Sequence, residues 1–478
     1  APILLNLFNR GIDFFFLLVM LRLLSPESVG VYYYLVVIFG WFDIFSNFGL
    51  DLYLIREVSR EKKRAGHYFY NTAILRLAVS IAGIALLTAF ILVRQATIDP
   101  ALSSEALLTL GLLYLGLFPG SLNKGMTSLF YAFEQAEKPA AIATITSVNK
   151  AIFGVIVLLA GYGIVGLAGV SIINNIITFV VLLYSGRALI GKISQWRPDM
   201  KLIQVMLREG FPLLLNHFLQ TIFFKIDIIV LEAMKGAGVV ARYSIAYKWI
   251  EAINIIPAFF TQALLPIMSR QAQEDKHALL QTYRFGIKFL FAFSVPIAVG
   301  FTFMAEPLTF LMGGQQYLPD SAIAIQLMIW SIPIGWMNSL TQYALIALDL
   351  QRSITRAFFA AVGFNIIVNI IFIPQYGFQA AAIATIFSEM VLLVPFGILM
   401  HRGLEQPIGW MSLLWRPVIA ATGMMAVTLL LTPVQVILAL IVGSGVYLMI
   451  FFGLRPLEQH EIAILETILP GRITQFLL

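Results

Sequence analysis

Apolar segments of about 20 residues recur from one end of the chain to the other, and short connections with polar residues, Gly or Pro separate them. A segment of this length is sufficient for an α-helix to cross the hydrocarbon layer of a membrane. The pattern predicts an all-α integral membrane protein with 14 transmembrane helices. The predicted spans lie near residues 1–24, 29–56, 69–93, 105–133, 138–161, 163–187, 208–233, 239–269, 280–304, 321–348, 354–374, 377–400, 412–431 and 434–454.

The order of Gly, Tyr, Asn and Arg residues repeats weakly at a shift of about 210–216 positions. The matching pairs are Val58–Arg60 with Met268–Arg270, Asn149 with Asn365, and Tyr162–Gly163 with Tyr376–Gly377. The repeat predicts two pseudo-symmetric six-helix bundles. The predicted domains are an N-terminal bundle over 1–190, a cytoplasmic linker over 191–207, a C-terminal bundle over 208–402, and helices 13 and 14 with a cytoplasmic tail over 403–478. Transporters built from two repeats bind substrate near the midplane between them and expose it alternately to each side.

The composition agrees with a membrane protein, since 60% of the residues are hydrophobic and 12% are charged, against about 25% charged residues in soluble domains. No long polar stretch leaves room for a separate soluble domain. Cysteine is absent, which excludes disulfides, thiolate metal sites and a cysteine nucleophile. No Walker A sequence is present, so we do not expect ATP to be the direct energy source.

Basic residues are distributed unequally over the predicted connections. Most of the 31 Lys and Arg residues lie on the side of the N-terminus, and only Arg94, Lys235 and Arg242 lie in connections on the other side. By the positive-inside rule, this predicts a multi-pass protein of a bacterial or archaeal plasma (inner) membrane with both termini in the cytoplasm. The rule also explains the net charge of +6 without nucleic acid, which we do not expect as a partner.

The two ends of the chain have features of their own. The chain begins at Ala1 rather than Met, and we expect a few natural residues to precede it. The first apolar segment has no small-residue cleavage pattern, so we interpret it as a retained helix and not as a signal peptide. Residues Arg455–Leu478 mix apolar and charged positions at helical spacing, which predicts an interfacial amphipathic helix with a packing role.

Five cationic residues lie inside predicted apolar spans: Arg10, Lys124, Lys150, Lys225 and Lys248. Each costs roughly 3 kcal/mol at the centre of a membrane helix. Their distances from the span ends place all five in the middle of a hydrocarbon layer about 30 Å thick. A fold that tolerates this cost is expected to hold the charges around a wet internal cavity. We therefore predict that the five residues bind an anionic substrate that crosses the membrane.

Two polar neighbours extend this predicted substrate site. Asn6 lies four positions before Arg10 on the same face of span 1, and Gln220 flanks Lys225 in span 7. We predict that both side chains bind substrate together with the cations.

Pairing with acids is the alternative explanation for the cations. Arg10 can pair with Asp13, and Lys248 with Glu251, because the members of each pair are three positions apart on one helix. Lys124 in span 4 and Lys150 in span 5 have no acid three or four positions away. We favour anion binding for the set as a whole, and pairing between helices stays open.

Four acids inside the predicted spans are candidates for ion coupling: Asp13, Asp43, Asp227 and Glu389. A carboxyl group in low dielectric can exchange a proton near neutral pH, and an ionised one can hold Na⁺. A role as salt-bridge partner is an equal alternative for each acid. We expect no cofactor besides the coupling ion, which stays open between Na⁺ and H⁺, and no metal site.

Several segments together resemble one transporter family in their order and spacing. They are Arg22–Tyr32, which reads Arg-Leu-Leu-Ser-Pro-Glu-Ser-Val-Gly-Val-Tyr, then Asn47–Glu57, Gly210–Pro212 followed by Asp227, and Leu265–Arg270. With its six-plus-six repeat, essentially the whole chain resembles the polysaccharide-exporter (Wzx-type) branch of the multidrug/oligosaccharidyl-lipid/polysaccharide (MOP) superfamily.

The resemblance implies a flippase that moves undecaprenyl-pyrophosphate-linked oligosaccharides, such as O-antigen or exopolysaccharide repeat units, from the cytoplasmic to the outer leaflet by alternating access. It implies V-shaped halves around a cationic cavity, and a lateral opening between helices 1 and 8 that leaves the lipid tail in the bilayer. The implied partners are the polyprenyl-pyrophosphate-linked glycan, membrane lipids, and the polymerase and chain-length proteins of the polysaccharide pathway. Side chains that suit the sugar are Asn123, Gln220, Asn338, Gln342 and Asn365.

Three other functions compete with this one. A drug/cation (MATE-like) antiporter of the same superfamily is expected to have an acidic cavity, whereas the charges inside the spans include five cations. A lipid II flippase is expected to carry an arginine pattern at its start, which is not evident in this chain. A membrane glycosyltransferase, polymerase or ligase needs a large charged outer loop, and the longest outer connections, about 94–104 and 305–320, are short. We therefore do not expect an enzyme.

Overall fold

A computed structural model describes residues 2–191 and 197–454, and within these ranges the chain is helical and contains no β-strand. The first eight helices are α1 (Pro2–Leu23), α2 (Pro26–Asn47), α3 (Leu50–Arg60), α4 (Ala65–Thr97), α5 (Ser104–Ala132), α6 (Glu137–Leu159), α7 (Gly163–Ile190) and α8 (Met200–Lys235). The next eight are α9 (Ala237–Ile253), α10 (Ile255–Glu274), α11 (Lys276–Gly313), α12 (Asp320–Met328), α13 (Ser331–Ala347), α14 (Gln351–Leu404), α15 (Trp410–Leu431) and α16 (Val436–Gly453). The amphipathic helix predicted over Arg455–Leu478 lies outside the described residues.

Most of these helices are long and apolar enough to cross a membrane. Among the described residues eleven meet both criteria, or up to twelve if the bent pair α12 and α13 forms one span. The helix α14 has 54 residues, and Gly377 inside it has non-helical dihedral angles (φ 58°, ψ −138°). A straight helix of that length would extend about 81 Å, far more than the hydrocarbon thickness of about 30 Å, so Gly377 divides α14 into two stretches of spanning length. The prediction of an all-α, multi-pass membrane protein is confirmed, and the count of fourteen spans stays a prediction.

Two of the predicted spans are broken in the middle. The span near 29–56 divides into α2 and α3 at Phe48 and Gly49, which both have positive φ angles (51° and 71°). The span near 239–269 divides into α9 and α10 at Asn254. A Cβ atom on Gly49 would lie 2.6 Å from the Cβ of Leu213 on α8, so glycine is needed for the close approach at this break. The apolar pattern continues across both breaks, and for that reason it does not reveal them.

The chain forms two compact units, unit 1 (Ala1–Arg242 with Met312–Gln316) and unit 2 (Tyr243–Leu311 with Tyr317–Leu478). The helix α8 lies in unit 1, where it packs against α2, α3 and α4, although the sequence repeat assigns it to the second bundle. It begins at Met200, so residues 200–207, which the sequence analysis assigned to the linker, are helical.

The core of unit 1 consists of two apolar clusters with polar side chains between them. One cluster includes Leu35, Ile38, Leu87, Leu113 and Leu117. The other includes Leu54, Leu75, Met126, Leu129 and Phe130. Along α2–α3, α4 and α5, the polar residues Asn47, Arg76 and Ser121 each fall between members of the two clusters. A polar layer therefore crosses unit 1 near the middle of these helices.

A buried ion pair holds the end of α8 against α4 within unit 1. The Nη2 atom of Arg94 on α4 donates to both carboxylate oxygens of Glu232 on α8, at 2.9 and 3.2 Å. The two side chains are only 3% and 8% exposed. The sequence analysis placed Arg94 in a connection, which was wrong, because α4 continues to Thr97 and the side chain turns inward to Glu232.

The residues just before α8 are fixed to α4 and cap the helix. The Asp199 carboxylate accepts the backbone N–H groups of Lys201 and Leu202, both at 3.1 Å, and lies 3.4 Å from Nε2 of His67. The backbone N–H of Asp199 donates to the side chain of Asn71 at 2.7 Å. The Leu202 N–H and the His67 ring hold the pKa of Asp199 below its usual range, so this carboxylate stays ionised and suits a helix N-terminus.

Unit 2 has a core cluster that joins α11, α15 and α16 around Val295, Val299, Met424 and Tyr447. The hydroxyl of Tyr447 donates to the backbone oxygen of Ala292 at 2.5 Å, which ties α16 to α11. The helix α13 packs against α10 and α14.

Glu232→Gln removes the negative charge from the buried pair and leaves Arg94 without a counterion. Removing one partner of a buried ion pair destabilises a protein by about 3–5 kcal/mol. We expect a loss of this size in the free energy of unfolding, measured on the purified protein in detergent.

Glu209→Gln is the matched control, because Glu209 is also on α8 and also pairs with an arginine of unit 1, Arg56. Its pair is solvent-accessible, with side chains 48% and 43% exposed, and its removal is expected to change the free energy of unfolding by at most about 1 kcal/mol. Equal losses for the two variants would contradict the anchoring role of the buried pair.

Candidate functional site

Arg10 and Lys150 lie on α1 and α6, two helices of unit 1 that pack together. The ring of Phe16 covers Gly154, where an added Cβ would lie 2.4 Å from the ring atom Cε2. In the predicted fourteen-span topology both helices follow an even number of crossings, so they run in the same direction. Arg10 precedes the contact by six residues and Lys150 by four, which corresponds to about 9 and 6 Å along the helices. The two cations therefore lie at nearly the same level of unit 1.

Neither of these two cations has a counterion among the described residues. Arg10 is exposed, Lys150 is half-buried, and within the described ranges neither side chain makes a hydrogen bond or an ion pair. The expected pair of Arg10 with Asp13 is wrong. Asp13 is exposed as well, not enclosed as a coupling acid would be, and a pair between exposed side chains gains only about 0–1 kcal/mol. Asn6 lies one turn before Arg10 on α1, and its side chain falls outside the described part of the chain.

Lys124 on α5 pairs with Asp43 on α2, a pairing between helices that the sequence left open. The distance from Nζ to Oδ2 is 2.5 Å, and the side chains are 36% and 28% exposed. The charge of Lys124 is thus balanced in this state of the protein.

The polar layer of unit 1 contains a second ion pair, between Arg76 on α4 and Asp51 on α3. The Nη2 atom of Arg76 donates to Asp51 at 2.7 Å, and its Nη1 donates to the side chain of Asn47 at 2.7 Å and to the backbone oxygen of Ser121 at 3.3 Å. Asn47 also donates to the Asp51 carboxylate at 2.8 Å. The Arg76 side chain is fully buried, so this network is the main neutralised charge inside unit 1.

Lys225 and Gln220 lie on α8. The ammonium group of Lys225 donates to the hydroxyl of Tyr33 on α2 at 3.1 Å and lies 5.5 Å from the centre of its ring. Gln220 is half-buried. Asp227 is buried, as predicted, and one of its oxygens accepts the backbone N–H of Ile228 at 2.9 Å.

In unit 2, the predicted pair between Lys248 and Glu251 is confirmed, with 2.8 Å between Nζ and Oε2. Glu389 on α14 is buried, as predicted. Its carboxylate accepts the side-chain amide of Asn338 on α13 at 2.7 Å, and the same amide donates to the backbone oxygen of Glu389 at 2.8 Å. Within the described residues this neutral amide is the hydrogen-bond partner of the Glu389 carboxylate.

Besides Arg94, two buried cations were not predicted from the sequence, Arg76 and Lys288. Neither was among the five cations assigned to the middle of the spans, but both lie well inside long helices, α4 and α11. The two positions are 212 residues apart, which falls inside the repeat shift of about 210–216. The repeat was therefore a signal that could have identified them as equivalent internal positions.

The arrangement offers cationic donors for an anion and a buried acid for an ion. Arg10 and Lys150 are not compensated by described residues, whereas Lys124 and Arg76 are. Within residues 2–191 and 197–454, no group of three or more His, Cys, Asp and Glu side chains is placed to hold a metal ion. Electrostatic binding of an anion and exchange of a proton or Na⁺ are the chemistry that these residues can perform.

Comparison with known proteins supports transport. A family model described as "Polysaccharide biosynthesis protein" matches residues 2–271, and the MatE family model matches residues 212–371. A candidate O-antigen transporter of Shigella dysenteriae is 22% identical over 197 residues, which cover 41% of this chain and 48% of that protein.

Two solved structures share the fold. The lipid II flippase MurJ in an inward closed conformation has a TM-score of 0.74 at 16% identity, and the match covers 94% of this chain and 97% of that one. An inward-facing multidrug resistance MATE family transporter of the MOP superfamily has a TM-score of 0.69 at 17% identity, with coverage of 83% and 95%. Since the polysaccharide biosynthesis model matches more than half of the sequence, the chain belongs to the polysaccharide biosynthesis protein family.

Proposed function

We propose that the protein is a flippase for an undecaprenyl-pyrophosphate-linked oligosaccharide, the repeat unit of an O-antigen or exopolysaccharide. The observation that carries the proposal is that Arg10 and Lys150 lie at one level of unit 1 without a counterion among the described residues. An uncompensated cation within a membrane is unfavourable, so these charges are expected to bind an anion. A pyrophosphate diester is a compact dianion that suits Lys and Arg donors.

The remaining predicted residues are proposed to join this site in different ways. Lys225, held by the hydroxyl of Tyr33, is proposed to bind the pyrophosphate directly. Lys124 and Lys248 each hold a carboxylate and are proposed to reach the substrate by exchanging that partner. The amides of Asn6 and Gln220 are proposed to bind the sugar.

The family and the relative support a lipid-linked glycan as the substrate, because their descriptions name polysaccharide biosynthesis and O-antigen transport. We propose that the substrate moves from the cytoplasmic to the outer leaflet of a bacterial or archaeal plasma membrane. The excess of basic residues on one side supports fourteen spans with both termini in the cytoplasm. Polymerase and chain-length proteins of the polysaccharide pathway are the proposed partners.

Lipid II is the second candidate substrate. The fold likeness to MurJ covers 94% of the chain, and lipid II carries the same undecaprenyl pyrophosphate. A drug cation suits the site less well, because it would be repelled by Arg10 and Lys150. The headgroup chemistry therefore favours either lipid-linked substrate over a cation.

We propose that an ion gradient drives transport through one or more of Asp13, Asp43, Asp227 and Glu389. Asp43 already has a cationic partner, Lys124, which favours a structural role for it. The described partner of the Glu389 carboxylate is a neutral amide, so a proton or Na⁺ is needed to balance its charge inside the membrane. Glu389 is therefore the strongest of the four candidates.

Arg10→Ala, Lys150→Ala, Lys225→Ala and Lys248→Ala are each expected to abolish surface glycan export while folded protein remains in the membrane. Loss of a hydrogen bond to a charged group weakens binding by about 1.5–3 kcal/mol, or roughly ten- to hundredfold. Complementation of cells that lack their own flippase measures export, and transfer of the lipid-linked oligosaccharide in proteoliposomes measures translocation directly.

Lys276→Ala is the control for this series, since Lys276 is exposed at the start of α11 and pairs with Glu405. It is expected to export like the wild type. Wild-type export by all four test variants would end the proposal. Proteoliposomes supplied with lipid II, or with a fluorescent organic cation, separate the two alternative functions.

Glu389→Gln keeps the shape of the side chain and removes its ionisable group. We expect the variant to lose the acceleration of translocation that an imposed gradient produces, measured in proteoliposomes with a pH gradient and, separately, with a Na⁺ gradient. Glu306→Gln, at an exposed position of α11, is the control and is expected to keep the response. An unchanged response of Glu389→Gln to both gradients would remove Glu389 from the coupling mechanism.

A further inference from the structure

Unit 1 contains a cavity of about 250 Å³ between α3, α5, α6 and α7. Liquid water occupies about 30 Å³ per molecule, so the cavity has the volume of roughly eight water molecules. This is enough space for one pyranose ring with its hydroxyl groups. Neither Arg10 nor Lys150 lines the cavity, so it is separate from the two cations that carry the proposed function.

Two threonines in the cavity wall can only accept hydrogen bonds from a ligand. The Thr146 hydroxyl donates to the backbone oxygen of Ala143 at 3.0 Å, and the Thr178 hydroxyl donates to that of Asn174 at 2.7 Å. Because each hydroxyl has a single proton, the lone pairs of its oxygen are what remain for a bound molecule. These two hydroxyls therefore take donors from the ligand, whereas Lys124 in the same wall is itself a donor.

Asn123 adds an acceptor that has no donor. Its Nδ2 donates to the backbone oxygen of Asn175 at 3.0 Å, which fixes the orientation of the amide. Its Oδ1 is buried and has no hydrogen-bond partner among the described residues. A buried acceptor of this kind is unfavourable without a partner. Asn123 lines the cavity, and a ligand would reach its Oδ1 only after a small shift of the wall, because this atom has almost no accessible surface.

Charges of both signs line the same cavity. The Asp51 carboxylate is held in place by Arg76 and Asn47, and Lys124 lies in the wall of the same cavity. Each charge is balanced by a partner, Asp51 by Arg76 and Lys124 by Asp43, so the wall offers no net charge to an ion. A neutral ligand with several hydroxyl groups suits such a wall, because its hydroxyls can donate to the threonine oxygens.

The remaining wall is apolar and includes Ile142, Leu182 and the ring of Tyr131. A sugar ring combines apolar C–H faces with hydroxyl groups along its edge, so it matches a cavity with one apolar and one polar wall. We propose that this cavity binds one neutral sugar ring of the transported glycan. The identity of the ligand rests on the proposed function, whereas the preference of the cavity for a neutral sugar does not.

The absence of cysteine from the chain allows a direct test, because a single introduced thiol reports on one position. Thr146→Cys places a thiol in the cavity wall. Ile145→Cys is the matched control on the neighbouring position of α6, with a side chain that is 60% exposed. Four methanethiosulfonate reagents are compared on the purified protein. They carry glucose, a short ethylene glycol chain, a sulfonate and a trimethylammonium group.

We expect the glucose reagent to modify Thr146→Cys at least about tenfold faster than the other three, since one more satisfied hydrogen bond corresponds to about a factor of ten. Ile145→Cys is expected to show no preference for glucose. Thr178→Cys is the second test position, in case Thr146→Cys does not fold. Equal rates for all reagents, faster reaction with a charged reagent, or no reaction at either position would overturn the proposal.

The thiol-modification experiment and the translocation experiment can fail separately, so each proposal has its own test. A preference for glucose at Thr146→Cys without translocation of lipid-linked oligosaccharide by the wild type would overturn the flippase function and leave a sugar site. Translocation by the wild type without this preference would overturn the sugar site alone.

Discussion

A charge inside the hydrocarbon layer has to be neutralised or hydrated, and the middle of unit 1 is organised around neutralisation. Arg76 is fully buried, and its guanidinium group contacts Asp51, Asn47 and the backbone of Ser121. These contacts join α2, α3, α4 and α5 at one level, and the two apolar clusters fill the space on either side. Breaking a buried ion pair costs about 3–5 kcal/mol, a large share of a typical net stability of about 5–15 kcal/mol. The pair therefore sets the spacing of these four helices.

The need to neutralise a charge inside the membrane separates the cations of unit 1 into two groups: those with a carboxylate partner, and those without one among the described residues. Lys124 and Arg94 each have a carboxylate from another helix, which balances their charges in this structure. Arg10 and Lys150 have no counterion among the described residues, although they lie in the middle of α1 and α6. The absence of a counterion for Arg10 and Lys150 among the described residues agrees with the proposal that a substrate supplies the missing negative charge.

The sequence predicted what depends on local pattern and missed what depends on contacts between distant helices. Apolar segments identified the membrane spans, and the pair of Lys248 with Glu251 followed from a spacing of three residues. The pair of Arg94 with Glu232 joins positions 138 residues apart, and no spacing rule connects them. Arg76 was not predicted as an internal cation because α4 begins at Ala65, four residues before the predicted span, so Arg76 lies further inside the helix than the apolar pattern indicated.

Phe48 and Gly49, which have positive φ angles, divide the second span into two helices. Asp43 belongs to α2 and Asp51 to α3. Asp43 is joined to Lys124, and Asp51 to Arg76. Each half of the span is thus tied to a different helix, α2 to α5 and α3 to α4, so two separate ion pairs hold the angle between the two halves.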